Sequence, residues 1–136
     1  MLKIVILDGA REVRQLAENS LSLDGHIVRT TSNSAEAIDL AHLFEPDLLI
    51  ADWDLESDYK GIEVAEAFQA AVPNIKTIVA SKHRSIQMEF SHHALTPNSN
   101  KLGIVDSLAK PFSTTALTRV VLATIQRFNT TLLMAQ

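Results

Sequence analysis

Several residue types that often define a class of function are scarce or missing in this sequence. Cysteine is absent, which excludes disulfide bonds, thiolate zinc sites and a cysteine nucleophile. The formal net charge is −4, so the chain lacks the basic surplus of proteins that bind nucleic acid or anionic membranes. No hydrophobic run approaches a membrane span, and the first residues do not form a secretory signal. We therefore expect a cytoplasmic protein with neither a nucleic-acid nor a membrane partner.

The residues that are present predict a globular protein. The chain has 136 residues, of which 46% are hydrophobic and 21% charged, and both fractions are near the averages for folded domains. Neither an internal repeat nor a linker rich in proline, glycine or serine divides the sequence. We expect one domain over residues 1–128, followed by a C-terminal tail or helix extension over residues 129–136.

Short aliphatic runs alternate with segments of helical periodicity along the whole chain. The predicted strands are residues 2–7, 26–30, 48–51, 75–80 and 104–109. The segment between the last two strands is harder to interpret; we expect a helix over residues 85–95 and then a polar loop, LTPNSNKLG. The alternation predicts an α/β fold: a doubly wound, five-stranded parallel sheet with helices on both faces.

Two acidic residues directly follow predicted strands. Asp8 ends the run LKIVILD, and Asp52 follows LLIA. The carboxyl ends of parallel strands lie at one edge of the sheet, so these carboxylates meet if their strands are neighbours. Two like charges at close range repel unless a cation joins them, and carboxylate oxygens suit Mg²⁺. At this point the alternative, two acids that begin ordinary loops, stays open.

Two further strand ends carry groups that suit phosphate chemistry. The fourth strand runs into Ser81, and the fifth into Lys110, which is followed by Pro111. Acid, acid, hydroxyl and ammonium at one edge of a sheet can handle a phosphoryl group: a carboxylate attacks, a metal neutralises oxygens, and lysine and serine hold the others.

With these residues the sequence resembles the receiver domain of bacterial two-component response regulators. The resemblance rests on four segments in this order: KIVILDGA, PDLLIADWDL, TIVAS and LAKPF. It implies a flavodoxin-like sheet with strand order 2-1-3-4-5. It also implies that Asp52 accepts a phosphoryl group from a histidine kinase or phosphotransfer protein, with Mg²⁺ as cofactor.

The resemblance further implies a role for each residue of the pocket. Asp8 and Asp52 would be metal ligands, and Asp54 would offer the metal its backbone carbonyl. Ser81 would be the hydroxyl that contacts the phosphoryl group, and Lys110 would be the family's lysine.

The sequence departs from the family pattern at two positions of this pocket. Gly9 stands where relatives usually carry a second acid, which is commonly the direct metal ligand, so we expect weak Mg²⁺ binding. Ser107, three residues before Lys110, stands where relatives usually carry an aromatic switch residue. Any activation would therefore lack the usual ring movement.

Three functions are compatible with these observations. The first is a stand-alone receiver, phosphorylated on Asp52, which acts through contacts with an output protein or a second copy of itself and turns over no external substrate. The second is a pseudo-receiver, a phosphorylation-independent adaptor with the same fold. The third is a phosphatase of the haloacid-dehalogenase type. It is considered because DWD at residues 52–54 fits the nucleophile motif of that family, and we favour it least.

Overall fold

The computed structural model describes the backbone of residues 1–135 and the side chains of residues 1–128. In chain order its elements are β1 (Lys3–Leu7), α1 (Arg11–Leu23), β2 (Ile27–Thr31), α2 (Ser34–Phe44), β3 (Leu48–Asp52), α3 (Gly61–Ala71), β4 (Lys76–Ser81), α4 (Arg84–Glu89), α5 (Pro97–Lys101), β5 (Ile104–Ala109) and α6 (Thr114–Ala135). Each predicted strand is present, with ends that differ by no more than one residue.

The strands form one parallel sheet in the order β2-β1-β3-β4-β5, as predicted. Its register decides which residues meet at the carboxyl edge. Leu7 pairs with Ala51, so the acids that follow them in sequence are neighbours. Ser81 pairs with Ala109 at the other side of the sheet, which brings the next residue of β5 to the same edge.

The sheet is buried on both faces, which explains why its strands are continuous aliphatic runs. Successive side chains of a strand point to opposite faces. On β1, Ile4 and Ile6 pack with helices α1 and α6, whereas Val5 and Leu7 pack with helices α2 and α3. All four side chains are almost completely buried. The packed sheet is therefore a rigid platform for the loops at its carboxyl edge.

The segment between β4 and β5 differs from the prediction. Helix α4 ends at Glu89, well before the expected residue 95. There the ring of Phe90 packs edge-to-face on Trp53, with the ring centroids 5.2 Å apart, and the backbone N–H of His92 donates to Asp106 at 3.3 Å. These tertiary contacts hold the chain in a turn that local periodicity could not reveal.

The polar stretch predicted as a loop contains a short helix, α5. Thr96 caps it by accepting a hydrogen bond from the N–H of Ser99 at 3.2 Å, and Pro97 occupies its first turn. The prediction of a loop was wrong because a helix of five residues is too short to show hydrophobic periodicity.

The C-terminal part of the chain leaves one prediction untested. Helix α6 runs from Thr114 to Ala135, and Gln136 lies outside the described residues. A domain boundary at residue 128 therefore stays a prediction. Within residues 1–135, none of the helices combines the length and the apolar character that crossing a membrane requires.

Trp53, the only tryptophan, lies at the end of β3 and packs away from the polar edge. Its ring covers Gly61, the first residue of α3. A Cβ at position 61 would lie 2.6 Å from Cε3 of the tryptophan, which is closer than two carbon atoms that are not bonded to each other can approach. Glycine is required here for this close approach.

We expect Gly61→Ala to displace the Trp53 ring. The tryptophan emission should change, and the free energy of unfolding should fall by about 1–3 kcal/mol because the site has no room for the methyl group. Urea unfolding followed by circular dichroism and by fluorescence measures both effects. Ile62→Ala, a truncation at the next position, where the side chain is 46% exposed, is the control. Unchanged emission from Gly61→Ala would contradict this packing.

Candidate functional site

Residues from four strand ends meet at the carboxyl edge of the sheet. Asp8 follows β1, Asp52 ends β3, Ser81 ends β4 and Lys110 follows β5. The two carboxylates and the hydroxyl are buried, at 3%, 7% and 0% exposure. The structure thus brings together the residues that the sequence marked at its strand ends.

The ammonium of Lys110 bridges the two buried carboxylates. Its Nζ lies 2.8 Å from Oδ2 of Asp8 and 3.2 Å from Oδ2 of Asp52. Burial alone would lower the pKa of Lys110, but the hydrogen bond and charge of Asp8, with those of Asp52, outweigh it and raise this pKa. On the alkaline side, the stability that this ion pair contributes is complete below 10.5, the unfolded-state pKa of Lys110, and is lost as the pH rises through the higher folded-state pKa.

The second oxygen of each carboxylate is oriented by the backbone. The N–H of Ala10 donates to Oδ1 of Asp8 at 2.9 Å, and the N–H of Asp54 donates to Oδ1 of Asp52 at 3.0 Å. Both contacts join an aspartate to the amide two residues later, which is the geometry of an Asx turn. The two carboxylates are therefore held in place from both sides.

The side chain of Asp54 faces β4 instead of the Asp8–Asp52 pair. Its Oδ1 accepts the Ser81 hydroxyl at 2.7 Å, and its Oδ2 accepts the Lys82 N–H at 2.8 Å. Burial alone would raise the pKa of Asp54. The hydrogen bonds from Lys82 and Ser81, with the charges of His83 and Lys110, outweigh burial and hold this pKa below its usual value.

The chain's own residues fit a divalent cation only in part. Among the side chains of residues 1–128, no three acidic, histidine or cysteine groups lie together in a metal-binding arrangement. Two adjacent carboxylates remain, on Asp8 and Asp52. Because Mg²⁺ is commonly held by one or two carboxylates and several waters, this donor set fits Mg²⁺ as a weak site. A third carboxylate is missing at Gly9, where a Cβ would meet Cδ1 of Leu55 at 3.1 Å.

One residue that the sequence did not single out links the site to β5. The side-chain amide of Gln87, on α4, donates to the Ser81 backbone carbonyl at 2.8 Å, and the backbone carbonyl of Gln87 accepts the Ser107 hydroxyl at 2.6 Å. Ser107 therefore anchors α4, in place of an aromatic ring. The signal in the sequence is weak: a glutamine within a helical segment, six residues after a strand end.

The fold and the pocket together define a doubly wound domain whose carboxylates and lysine meet at the carboxyl edge of its sheet. A family model described as response regulator receiver domain matches residues 4–122. The chain therefore belongs to this family, and it is the receiver domain of a two-component response regulator. The match does not favour the alternative of a haloacid-dehalogenase-like phosphatase.

Solved structures support the same fold. NtrX from Brucella abortus is similar, with a TM-score of 0.82 and 21% identity over 98% of this chain. This chain spans only 29% of NtrX. CheY4 of Vibrio cholerae (TM-score 0.74, 21% identity) and a two-component response regulator from Clostridium difficile (TM-score 0.76, 22% identity) are similar over 90% and 95% of this chain, and over 98% and 99% of their own. No curated protein matched in sequence.

We expect Lys110→Met to destabilise the fold at pH 7 by about 3–5 kcal/mol, because two buried carboxylates lose their counter-charge. One carboxylate of the folded variant should then take up a proton to relieve the repulsion. The folded variant binds more protons than its unfolded chain, so its stability should rise as the pH falls from 7 towards about 4. Urea unfolding across this pH range measures the effect.

Two comparisons complete this test. Adding Asp8→Asn to Lys110→Met should restore part of the stability by removing the repulsion. Lys82→Met removes a positive charge from an exposed side chain beside the site and should change little. The same pH dependence in Lys110→Met and the unmodified protein would contradict the electrostatic role of the lysine.

Proposed function

We propose that this receiver domain accepts a phosphoryl group on Asp52. The observation that carries the proposal is the Lys110 ammonium held between Asp8 and Asp52, with the Ser81 hydroxyl at the end of the adjacent strand. Such an arrangement supplies positive charge and a hydroxyl donor where phosphoryl oxygens would gather.

In the proposed reaction a carboxylate oxygen of Asp52 attacks the phosphorus of a phosphohistidine on a histidine kinase or phosphotransfer protein. A P–O bond to Asp52 forms, the P–N bond breaks, and the histidine ring takes up a proton and leaves. Lys110 binds the negative charge, and Ser81 donates to a phosphoryl oxygen. The chain acts only on itself in this scheme and turns over no external substrate.

Mg²⁺ would be held by the carboxylates of Asp8 and Asp52 and by the backbone carbonyl of Asp54. When bound, it supplies positive charge that neutralises the oxygens of the transferring group. Because position 9 is glycine, the site offers one carboxylate fewer than the family pattern, and we infer that Mg²⁺ binds weakly.

The partners follow from the same proposal. A histidine kinase or phosphotransfer protein would supply the phosphoryl group, and an output protein or a second copy of this chain would read the state of the domain. The surface around α4 and β5 suits the binding of such an output protein, because Gln87 connects this surface directly to the Ser81 carbonyl. We place this signalling in the cytoplasm as part of the proposal.

Trp53 fluorescence tests the proposal, since this residue follows Asp52 directly. We expect the emission to respond to millimolar Mg²⁺ and then to beryllofluoride, a phosphoryl analogue. Incubation with acetyl phosphate should add the mass of one phosphoryl group. Asp52→Asn should abolish the beryllofluoride response and the mass increase. No response of the unmodified protein even at tens of millimolar Mg²⁺ would favour a pseudo-receiver instead.

We expect Gly9→Asp to tighten Mg²⁺ binding on the order of tenfold, because cation affinity rises with the number of charged ligands. The side chain fits if Leu55 moves by a few tenths of an ångström. Gly9→Asn crowds Leu55 equally but adds no charge, so it is the matched control in a Mg²⁺ titration followed by Trp53 fluorescence. Equal affinities for the two variants would show that position 9 does not face the metal.

A further inference from the structure

The Asp54 carboxylate occupies the hydrogen-bond donors at the end of β4. The Ser81 hydroxyl donates to it at 2.7 Å and the Lys82 N–H at 2.8 Å, and Nε2 of His83 lies 3.9 Å from its Oδ1. The side chain of Asp54 is only 15% exposed. These contacts involve both of its oxygens, so the carboxylate is fixed in this position.

The direction of the Ser81 proton is decided by a second contact. The backbone N–H of His83 donates to Ser81 Oγ at 3.0 Å, so the hydroxyl accepts on that side and its single proton points to Asp54. One hydroxyl proton cannot serve two anions at once. A phosphoryl group on Asp52, two residues earlier on the same strand end, would need the donor that Asp54 holds.

We propose that Asp54 is an internal competitor for the phosphoryl group: its carboxylate holds Ser81 and the Lys82 N–H in an anion-bound arrangement and must be displaced before they can bind phosphoryl oxygens. This inference rests on the proposed function and adds its regulation. Carboxylate and phosphoryl oxygens accept the same charge-assisted hydrogen bonds, which makes one anion a substitute for the other.

The competition has a consequence for signalling. The end of β4 is bound to an anion before any phosphorylation, and the Ser81 carbonyl is already tied to α4 through Gln87. Phosphorylation would therefore exchange one anion for another at these donors. The apparent affinity for the phosphoryl group is then the intrinsic affinity multiplied by the fraction of time for which Asp54 leaves these donors free.

Neutralising position 54 tests this directly. In Asp54→Asn, the Lys82 amide resonance of the Mg²⁺-free protein should move upfield, because its acceptor loses its charge. Beryllofluoride at a fixed Mg²⁺ concentration should bind on the order of tenfold more tightly, as expected if Asp54 blocks the donors about 90% of the time. Asp54→Ala should show both effects if the asparagine variant folds poorly.

Asp58→Asn is the matched control, since it removes the same charge from an exposed side chain of the same loop. It should leave both the Lys82 resonance and the beryllofluoride affinity unchanged. Equal affinities for the unmodified protein and Asp54→Asn would overturn the competition but leave the proposed function standing. No beryllofluoride binding by either protein would overturn the proposed function, and the competition with it.

Discussion

The contact between Lys110 and the carboxylates of Asp8 and Asp52 is the interaction on which the polar edge of this domain depends. It joins residues 102 positions apart in sequence. The strands that carry Lys110 and Asp8 are three places apart in the sheet, which is roughly 14 Å at the usual strand spacing. The contact therefore requires the correct order and register of every strand between them. A shift of one residue in any of these strands would turn the side chains at its end to the other face.

The edge contains three carboxylates, which are held in two different ways. A formal positive charge holds Asp8 and Asp52, whereas a hydroxyl and a backbone N–H hold Asp54. Under the proposed function, the first arrangement supplies positive charge beside the Asp52 carboxylate that would act as the nucleophile. The second fills donors that the same reaction would use at Ser81. Under the proposed function, the pocket thus combines a feature that would favour phosphorylation with one that would oppose it.

The sequence predicted the parts of this structure that follow from strand periodicity. Asp8, Asp52, Ser81 and Lys110 were found because a residue that follows a buried parallel strand has only one edge at which to emerge. The prediction failed where tertiary contacts override local pattern, as in helix α4, which ends where Phe90 packs on Trp53. The direction of the Asp54 side chain could not be predicted from the sequence either, since it depends on hydrogen-bond donors from another strand.

The absence of an aromatic residue at position 107 changes how β4 and β5 are connected. An aromatic ring could move between two positions, but the Ser107 hydroxyl is short and donates to the Gln87 carbonyl at 2.6 Å. That carbonyl belongs to the backbone of Gln87, and the side-chain amide of the same residue donates to the Ser81 backbone carbonyl at 2.8 Å. A displacement of Ser81 must therefore stretch this bond or carry α4 with it. Because a charge-neutral hydrogen bond contributes only about 0.5–1.5 kcal/mol, breaking this connection would cost little if the proposed exchange of anions displaced Ser81. Hydrogen bonds of this strength suit a reversible adjustment of α4.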